Sequence, residues 1–216
     1  MDAGKVALTH EARSVAHPLK RWWLGLVAGT RVLLGQPRAA LEVYRRLLCH
    51  DPTDDRALLS LANLLAETGD VDGAIAAFRR LLGRDPEAAE AWFNLGYLLE
   101  KRDEVDEAEA CFRRAVALQP ALDRAWYGLG LALIRQDRLE DAAGALERNI
   151  RLQPFNPYGW YQLGMTHHHL GRSAEAHRVC ENLRTFEPRY AATLQRDLQT
   201  TPRRRTSGAA EEKPCS

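Results

Sequence analysis

Three consecutive histidines, His167, His168 and His169, are the residues of this sequence whose type most suggests metal chemistry. They lie in a helical pattern, and His177 on the following helix could approach one of them. Successive residues of a helix point about 100° apart, so three in a row cannot ligate one ion unless the helix unwinds. We therefore expect His167 to pack inside the protein, and we predict neither a bound metal nor any other cofactor.

The four cysteines, Cys49, Cys111, Cys180 and Cys215, form neither a redox motif nor a zinc-binding motif. They include no CxxC pair, and none has zinc-ligand spacing with a histidine. Cys111 and Cys180 fall inside helical patterns and are predicted to be small buried hydrophobic residues. Disulfides are not expected, which is typical of proteins in a reducing cytoplasm.

No arrangement of nucleophile and base in the sequence indicates catalysis. A Ser/His/Asp or Cys/His set in a recognisable loop context is absent, as are a GxGxxG fingerprint and a P-loop. We therefore predict that the protein is not an enzyme.

Charge and composition exclude several further classes. The 216 residues contain 30 Lys and Arg against 29 Asp and Glu, a net charge of +1. This balance argues against a dedicated nucleic-acid binder, whose domain is usually strongly basic. The apolar fraction of 45% is ordinary for a globular protein, and abundant Ala, Leu, Arg and Glu favour helices over sheets. The Arg and Ala bias is associated with bacterial sequences.

The sequence shows neither a secretory signal nor a membrane-spanning segment. Its N-terminus mixes charged residues and histidine with few apolar ones. The most hydrophobic stretch, Trp22–Leu34, is too short to span a bilayer and contains Arg31. These features predict a cytoplasmic protein.

A repeat of 34 residues organises most of the chain. It is marked by prolines in register, at Pro52, Pro86, Pro120, Pro154 and Pro188. When proline is counted as position 32, position 20 is alanine in all five units, at Ala40, Ala74, Ala108, Ala142 and Ala176. Five units without an insertion predict a repeat architecture, in which each unit packs against its neighbours.

Each unit is predicted to form two helices. Apolar residues at positions 4, 7, 8 and 11 form one helical stripe, and those at positions 20, 24, 27 and 28 form another. Position 15 between them is glycine or aspartate, which can adopt the left-handed conformation that ends the first helix. Proline at position 32 ends the second. Small residues at positions 8 and 20 are expected to let the two helices approach closely.

The pattern resembles the tetratricopeptide repeat (TPR) family. The family motif stands in the third unit at Trp92, Leu95, Gly96, Leu99, Ala108, Phe112, Ala115 and Pro120. The resemblance implies an all-α, right-handed superhelical solenoid of about five repeats, at 21–54, 55–88, 89–122, 123–156 and 157–190. We predict a capping helix at 191–199 with a disordered tail at 200–216, and a partly disordered or covering segment at 1–20.

In this family the first helix of each repeat lines a concave groove that binds peptides. The positions that face the groove carry aromatic, amide and charged residues. The predicted site consists of Asn63, Phe93, Asn94, Tyr97, Arg124, Tyr127, Arg135, Tyr158, Tyr161, Gln162, Met165 and His168. Aromatic rings and asparagine carboxamides suit an extended peptide or a helix. Alternatively, some of the tyrosines pack between adjacent first helices.

One TPR subclass clamps the carboxylate of a chaperone tail with lysine, arginine and asparagine. Asn63 and Asn94 match its two asparagines, and Arg124 could supply one cation. Leu59 and Gly128 occupy two other cationic positions, so the clamp is incomplete and chaperone-tail binding is not predicted. The two asparagines could still hold a peptide backbone.

The first helix of the first repeat is apolar on more than one face, so another surface must cover it. Its groove positions include Trp22 and Leu26. Residues 1–20 could fold back over them. Alternatively, Trp22, Trp23 and Leu26 could form a homodimer contact, or attach to a membrane surface beside Lys20 and Arg21.

These features lead to three functional hypotheses. The first is a protein–protein interaction adaptor, or scaffold, that binds a peptide or protein partner in its groove. The second is an assembly factor or secretion-type chaperone that acts through the apolar first helix, at a membrane surface or by self-association. The third is an RNA-associated regulator acting through the basic run Arg203–Arg205 in the tail, although no nucleic acid is expected as a main partner.

Overall fold

The structure is a computed structural model that describes residues 26–27, 29–31 and 34–202. The described residues form helices and turns and include no strand, which confirms the predicted all-α class. The chain divides into two compact units, with the boundary between Leu98 and Leu99.

Unit one contains helical residues at 26–27 and 29–31, and then complete helices in consecutive hairpins. Its helices are α1 (Pro37–His50), α2 (Asp55–Glu67), α3 (Val71–Leu82) and most of α4 (Ala89–Lys101). Helix α2 packs against both α1 and α3. The core of this unit includes the fully buried side chains of Leu58 and Phe78.

Unit two contains the end of α4 and six further helices. They are α5 (Val105–Leu118), α6 (Asp123–Arg135), α7 (Leu139–Leu152), α8 (Pro157–His169), α9 (Ser173–Phe186) and α10 (Pro188–Thr200). Each of these helices packs against the next one along the chain, and α10 also contacts α8.

The turn inside each repeat has the left-handed residue that the sequence predicts. A positive φ occurs at position 15 in all five repeats, at Gly35 (67°), Gly69 (88°), Asp103 (68°), Asp137 (61°) and Gly171 (75°). Glycine adopts this conformation freely, and aspartate tolerates it better than most other residues. This prediction is confirmed.

Small residues bring the two helices of a repeat close together, as predicted. A Cβ atom at Gly130 on α6 would lie 2.8 Å from the Leu146 side chain on α7. One at Gly164 on α8 would lie 3.3 Å from Val179 on α9, and 2.7 Å from the Leu194 side chain on α10. Both leucines are fully buried, and Ala142 opposite Gly130 has no exposed surface. A larger residue at either glycine would therefore displace the core.

In the third, fourth and fifth repeats, the tryptophan at position 4 is hydrogen-bonded to the turn that precedes the repeat. The indole Nε1 of Trp92 donates a hydrogen bond of 2.9 Å to the carbonyl of Pro86. Trp126 and Trp160 repeat this bond with the prolines of their own preceding turns, at 3.0 and 2.8 Å. Each tryptophan is half-buried, so its ring packs while its N–H has a partner.

Helix α10 begins three residues before the predicted capping segment. Glu187 alone separates it from α9, and Pro188 occupies its first turn. Proline has no N–H to lose there, so it can start a helix as well as end one. As a result α10 is out of the 34-residue register, and Ala191 and Leu194 are its fully buried residues.

Candidate functional site

In unit one, the two predicted asparagines are hydrogen-bonded to each other. Asn94 Nδ2 on α4 donates to Asn63 Oδ1 on α2, at 2.9 Å. Each carboxamide has a second polar atom that this bond does not use: a donor on Asn63 and an acceptor on Asn94. Phe93, which directly precedes Asn94, is half-buried. Tyr97, one helical turn after Phe93, is 45% exposed.

In unit two, the groove residues Tyr158 and Tyr127 each contact a residue of another helix. Tyr158 on α8 is 55% exposed, and its ring packs edge-to-face on that of Tyr190, with ring centroids 5.5 Å apart. A hydrogen bond between these two hydroxyls is the main reason that the pKa of Tyr190 is raised. Burial raises the pKa of Tyr127 on α6, whose hydroxyl is hydrogen-bonded with Gln162.

Tyr190 was not among the predicted site residues. It is the last residue of the predicted fifth repeat, 157–190, four residues before Leu194. Its sequence position does not reveal the contact with Tyr158, which depends on where α10 starts.

Two predicted groove residues are hydrogen-bonded to the C-terminal part of α10 or to the residue that follows it. The Tyr161 hydroxyl donates to Asp197 Oδ2 at 2.7 Å. Burial, with this hydrogen bond, raises the pKa of Tyr161 to about 12, and the same bond lowers that of Asp197. His168 is buried, and its Nε2 donates to the Thr201 carbonyl at 2.8 Å.

Of the other predicted residues on α8, Gln162 is half-buried, and Met165 packs against the core of unit two. On α6, Arg124 is exposed. Arg135 forms ion pairs with Asp103 and with Glu100, the latter at 3.4 Å. The charge of Arg135 is therefore balanced within the protein.

Two of the three histidines in the tract, His167 and His168, are buried. Burial lowers the pKa of His167. His177 Nδ1 donates to the Ser173 carbonyl of its own helix at 2.7 Å. Within the part of the chain that the structure describes, no three His, Cys, Asp or Glu side chains converge on a point suited to a metal ion.

The position of Gly128 explains why the carboxylate clamp is incomplete. A Cβ atom at Gly128 would lie 2.7 Å from the ring of Phe112, which is buried. A lysine or arginine at this position would require the core ring to move. The backbone of α6 is therefore packed too tightly here for the cation that the clamp needs.

The apolar first helix is described only in part. Leu26 is 51% exposed and Leu34 is 71% exposed. Trp22 and Trp23, Lys20 and Arg21, and the basic run Arg203–Arg205 all lie outside the described residues.

Cys111 and Cys180 are buried, as predicted, and Cys49 is exposed. Among the helices that the structure describes, none combines the length and apolar character needed to cross a bilayer.

Comparison with known proteins adds a family match and several structural neighbours. The family model described as the C-terminal domain of cilia and flagella-associated protein 70, a TPR domain, matches residues 2–193. A search of curated protein sequences finds no match.

A crystal structure of MamA is 25% identical and superposes with a TM-score of 0.72, covering 77% of this chain and 97% of that one. A MamA fragment from Desulfovibrio magneticus RS-1 is 24% identical, with a TM-score of 0.69 and coverages of 82% and 96%. YrrB, described as a TPR protein with an unusual peptide-binding site, is 19% identical, with a TM-score of 0.70 and coverages of 78% and 88%.

The 34-residue register, the left-handed residue within each repeat and the tryptophan-to-proline bonds agree with this match. The chain belongs to the tetratricopeptide-repeat family represented by the C-terminal domain of cilia and flagella-associated protein 70.

Proposed function

We propose that the protein is a non-enzymatic interaction adaptor that binds an extended peptide segment of a protein partner on the first helices of its repeats. The observation that carries this proposal is the hydrogen bond between Asn63 and Asn94 in unit one. A bacterial source and a cytoplasmic location remain predictions from composition.

The asparagine pair has the right chemistry for a peptide backbone. The bond orients both carboxamides, so Asn63 Nδ2 remains a donor and Asn94 Oδ1 remains an acceptor. An extended residue offers one C=O and one N–H, which require one donor and one acceptor. The pair can therefore hold a backbone without reading its side chains.

The exposed tyrosines support the same proposal. Tyr97 in unit one and Tyr158 in unit two expose about half of their surface at predicted groove positions. Tyrosine buries a large area on binding and loses little conformational entropy, because it has only two rotatable bonds. YrrB, which shares the fold, is described as having a peptide-binding site.

We expect alanine at Asn63 or Asn94 to weaken the binding of a selected peptide by about 1–3 kcal/mol, because buried peptide groups lose their partners. The peptide is first selected on the full-length protein from a random library, and affinities are measured by calorimetry. Because the two carboxamides act together, the double mutant should lose less than the sum of the single mutants.

The matched control is Asn182→Ala, since Asn182 is exposed on the second helix α9. It should leave the affinity unchanged. Suppose instead that the Asn63→Ala, Asn94→Ala double mutant binds normally and truncation after Pro202 abolishes binding. The function would then lie in the basic tail.

A second candidate function is supported by the exposure of Leu26 and Leu34. Large apolar side chains that are exposed are candidates for association with a protein or a membrane. In this case the protein would act as a self-associating or membrane-surface assembly factor, as the apolar first helix suggests.

Leu26→Glu separates this candidate from the first. If Leu26 forms a self-association surface, the full-length protein is a dimer by light scattering, and the mutant is a monomer because a charge is costly in an apolar contact. If it meets a membrane, flotation with anionic liposomes is lost in the mutant. A full-length monomer that does not float would eliminate both versions.

A further inference from the structure

The surface of unit two that carries Tyr158 is aromatic. Helix α8 contains no Asp, Glu, Lys or Arg in its 13 residues. The ring of Tyr158 stands nearly perpendicular to that of Tyr190, at 75°, and remains 55% exposed. An exposed ring held by a second ring is a rigid surface for an apolar ligand.

Polar atoms surround these rings. Hydrogen bonds join the hydroxyls of Tyr158 and Tyr190, and the Tyr127 hydroxyl with Gln162. We call these four residues the tyrosine face. Each hydroxyl is both a donor and an acceptor, so the face can offer hydrogen bonds to a ligand without a formal charge.

We propose that the tyrosine face binds a proline-rich segment in the polyproline II conformation, an inference that rests on the proposed function. Polyproline II has no internal hydrogen bonds, so its carbonyls are free to accept from tyrosine hydroxyls. Its proline rings stack on aromatic side chains, and its conformation is already ordered before binding.

Other ligand classes match this surface less well. The carbonyls within an α-helix are already bonded inside the helix, so the tyrosine hydroxyls would find few acceptors on it. An acidic peptide would have to rely on Arg124, the exposed arginine of α6, because Arg135 on the same helix is already paired with Glu100 and Asp103. The rings and hydroxyls of the tyrosine face therefore favour an extended chain with free carbonyls.

The test is titration of the full-length protein with decaproline, followed by calorimetry. We expect saturable binding, weakened about tenfold or more by Tyr158→Ala, since an aromatic anchor is lost. Tyr158→Phe keeps the ring and should lose less. The matched control is Phe155→Ala, because Phe155 is also an exposed aromatic residue but packs on Phe186 instead. It should leave binding unchanged.

Three outcomes would overturn the inference: no saturable binding of decaproline, equal binding by wild type and Tyr158→Ala, or equal binding of a Gly-Ser decamer or an alanine-rich helical peptide. If Tyr158→Ala does not fold by circular dichroism, the comparison of Tyr158→Phe with wild type decides, and an unchanged affinity counts against the hydroxyl contacts. A library peptide that still depends on Asn63 and Asn94 would preserve the proposed function while the proline-rich ligand is rejected.

Discussion

Replacing Trp92 with alanine is expected to lower the free energy of unfolding by about 3 kcal/mol. The indole is half-buried, and its N–H donates to the Pro86 carbonyl at 2.9 Å. Alanine removes the packed ring and this bond together, next to the buried residues Ala91 and Leu95. Urea denaturation followed by circular dichroism measures the loss.

Trp92→Phe separates the two contributions. Phenylalanine keeps most of the ring but has no N–H, so only the hydrogen bond and a small volume are lost, at about 1 kcal/mol. Nearly equal losses for the two variants would mean that the bond to Pro86 matters more than the packing. A loss below about 1 kcal/mol for alanine would contradict the role assigned to position 4.

Replacing Gly159 with alanine is expected to destabilise the protein by about 2 kcal/mol, because the added methyl group overpacks a filled site. A Cβ atom at Gly159 would lie 2.2 Å from Asn149 Oδ1. Asn149 is 1% exposed, and its Nδ2 donates to the Asp123 carbonyl at 2.9 Å. Its carboxamide therefore occupies the space that an alanine side chain would need.

The double mutant Asn149→Ala, Gly159→Ala tests this explanation. The preceding repeat has alanine at both equivalent positions, Ala115 and Ala125, and both are fully buried. We expect the double mutant to be about as stable as Asn149→Ala alone, which gives a coupling energy of about 2 kcal/mol. Additive losses would show that Asn149 and Gly159 do not compete for the same space.

The contrast between these two sites shows what a repeat pattern predicts. Trp92 was identified because tryptophan recurs at position 4 in three repeats. The fourth repeat instead has Asn149 at a position that is apolar in the other four repeats. The fifth repeat then has Gly159 at a position where the three preceding repeats have alanine. This departure is visible in the sequence, but only the packing shows that one change accommodates the other.

The groove positions of helix α8 also separate what the repeat pattern predicts from what only the packing shows. The repeat placed Tyr158, Tyr161 and His168 on the groove side of α8, and Tyr158 is exposed. Tyr161 instead bonds to Asp197 of α10, and His168 bonds to Thr201, the residue that follows α10. Their partners could not be assigned from the periodicity, because α10 lies outside the 34-residue register.

The sequence by itself determined the helical hairpins, the turn residues and the small residues at helix crossings. These features are local, or recur at a constant interval, so composition and spacing are enough to predict them. Only the tertiary structure decided which groove residues keep an exposed surface and which bond to one another, as Asn63 and Asn94 do. Those pairings join residues about thirty positions apart, and they depend on how one helix packs on the next, for which the repeat pattern has no signal.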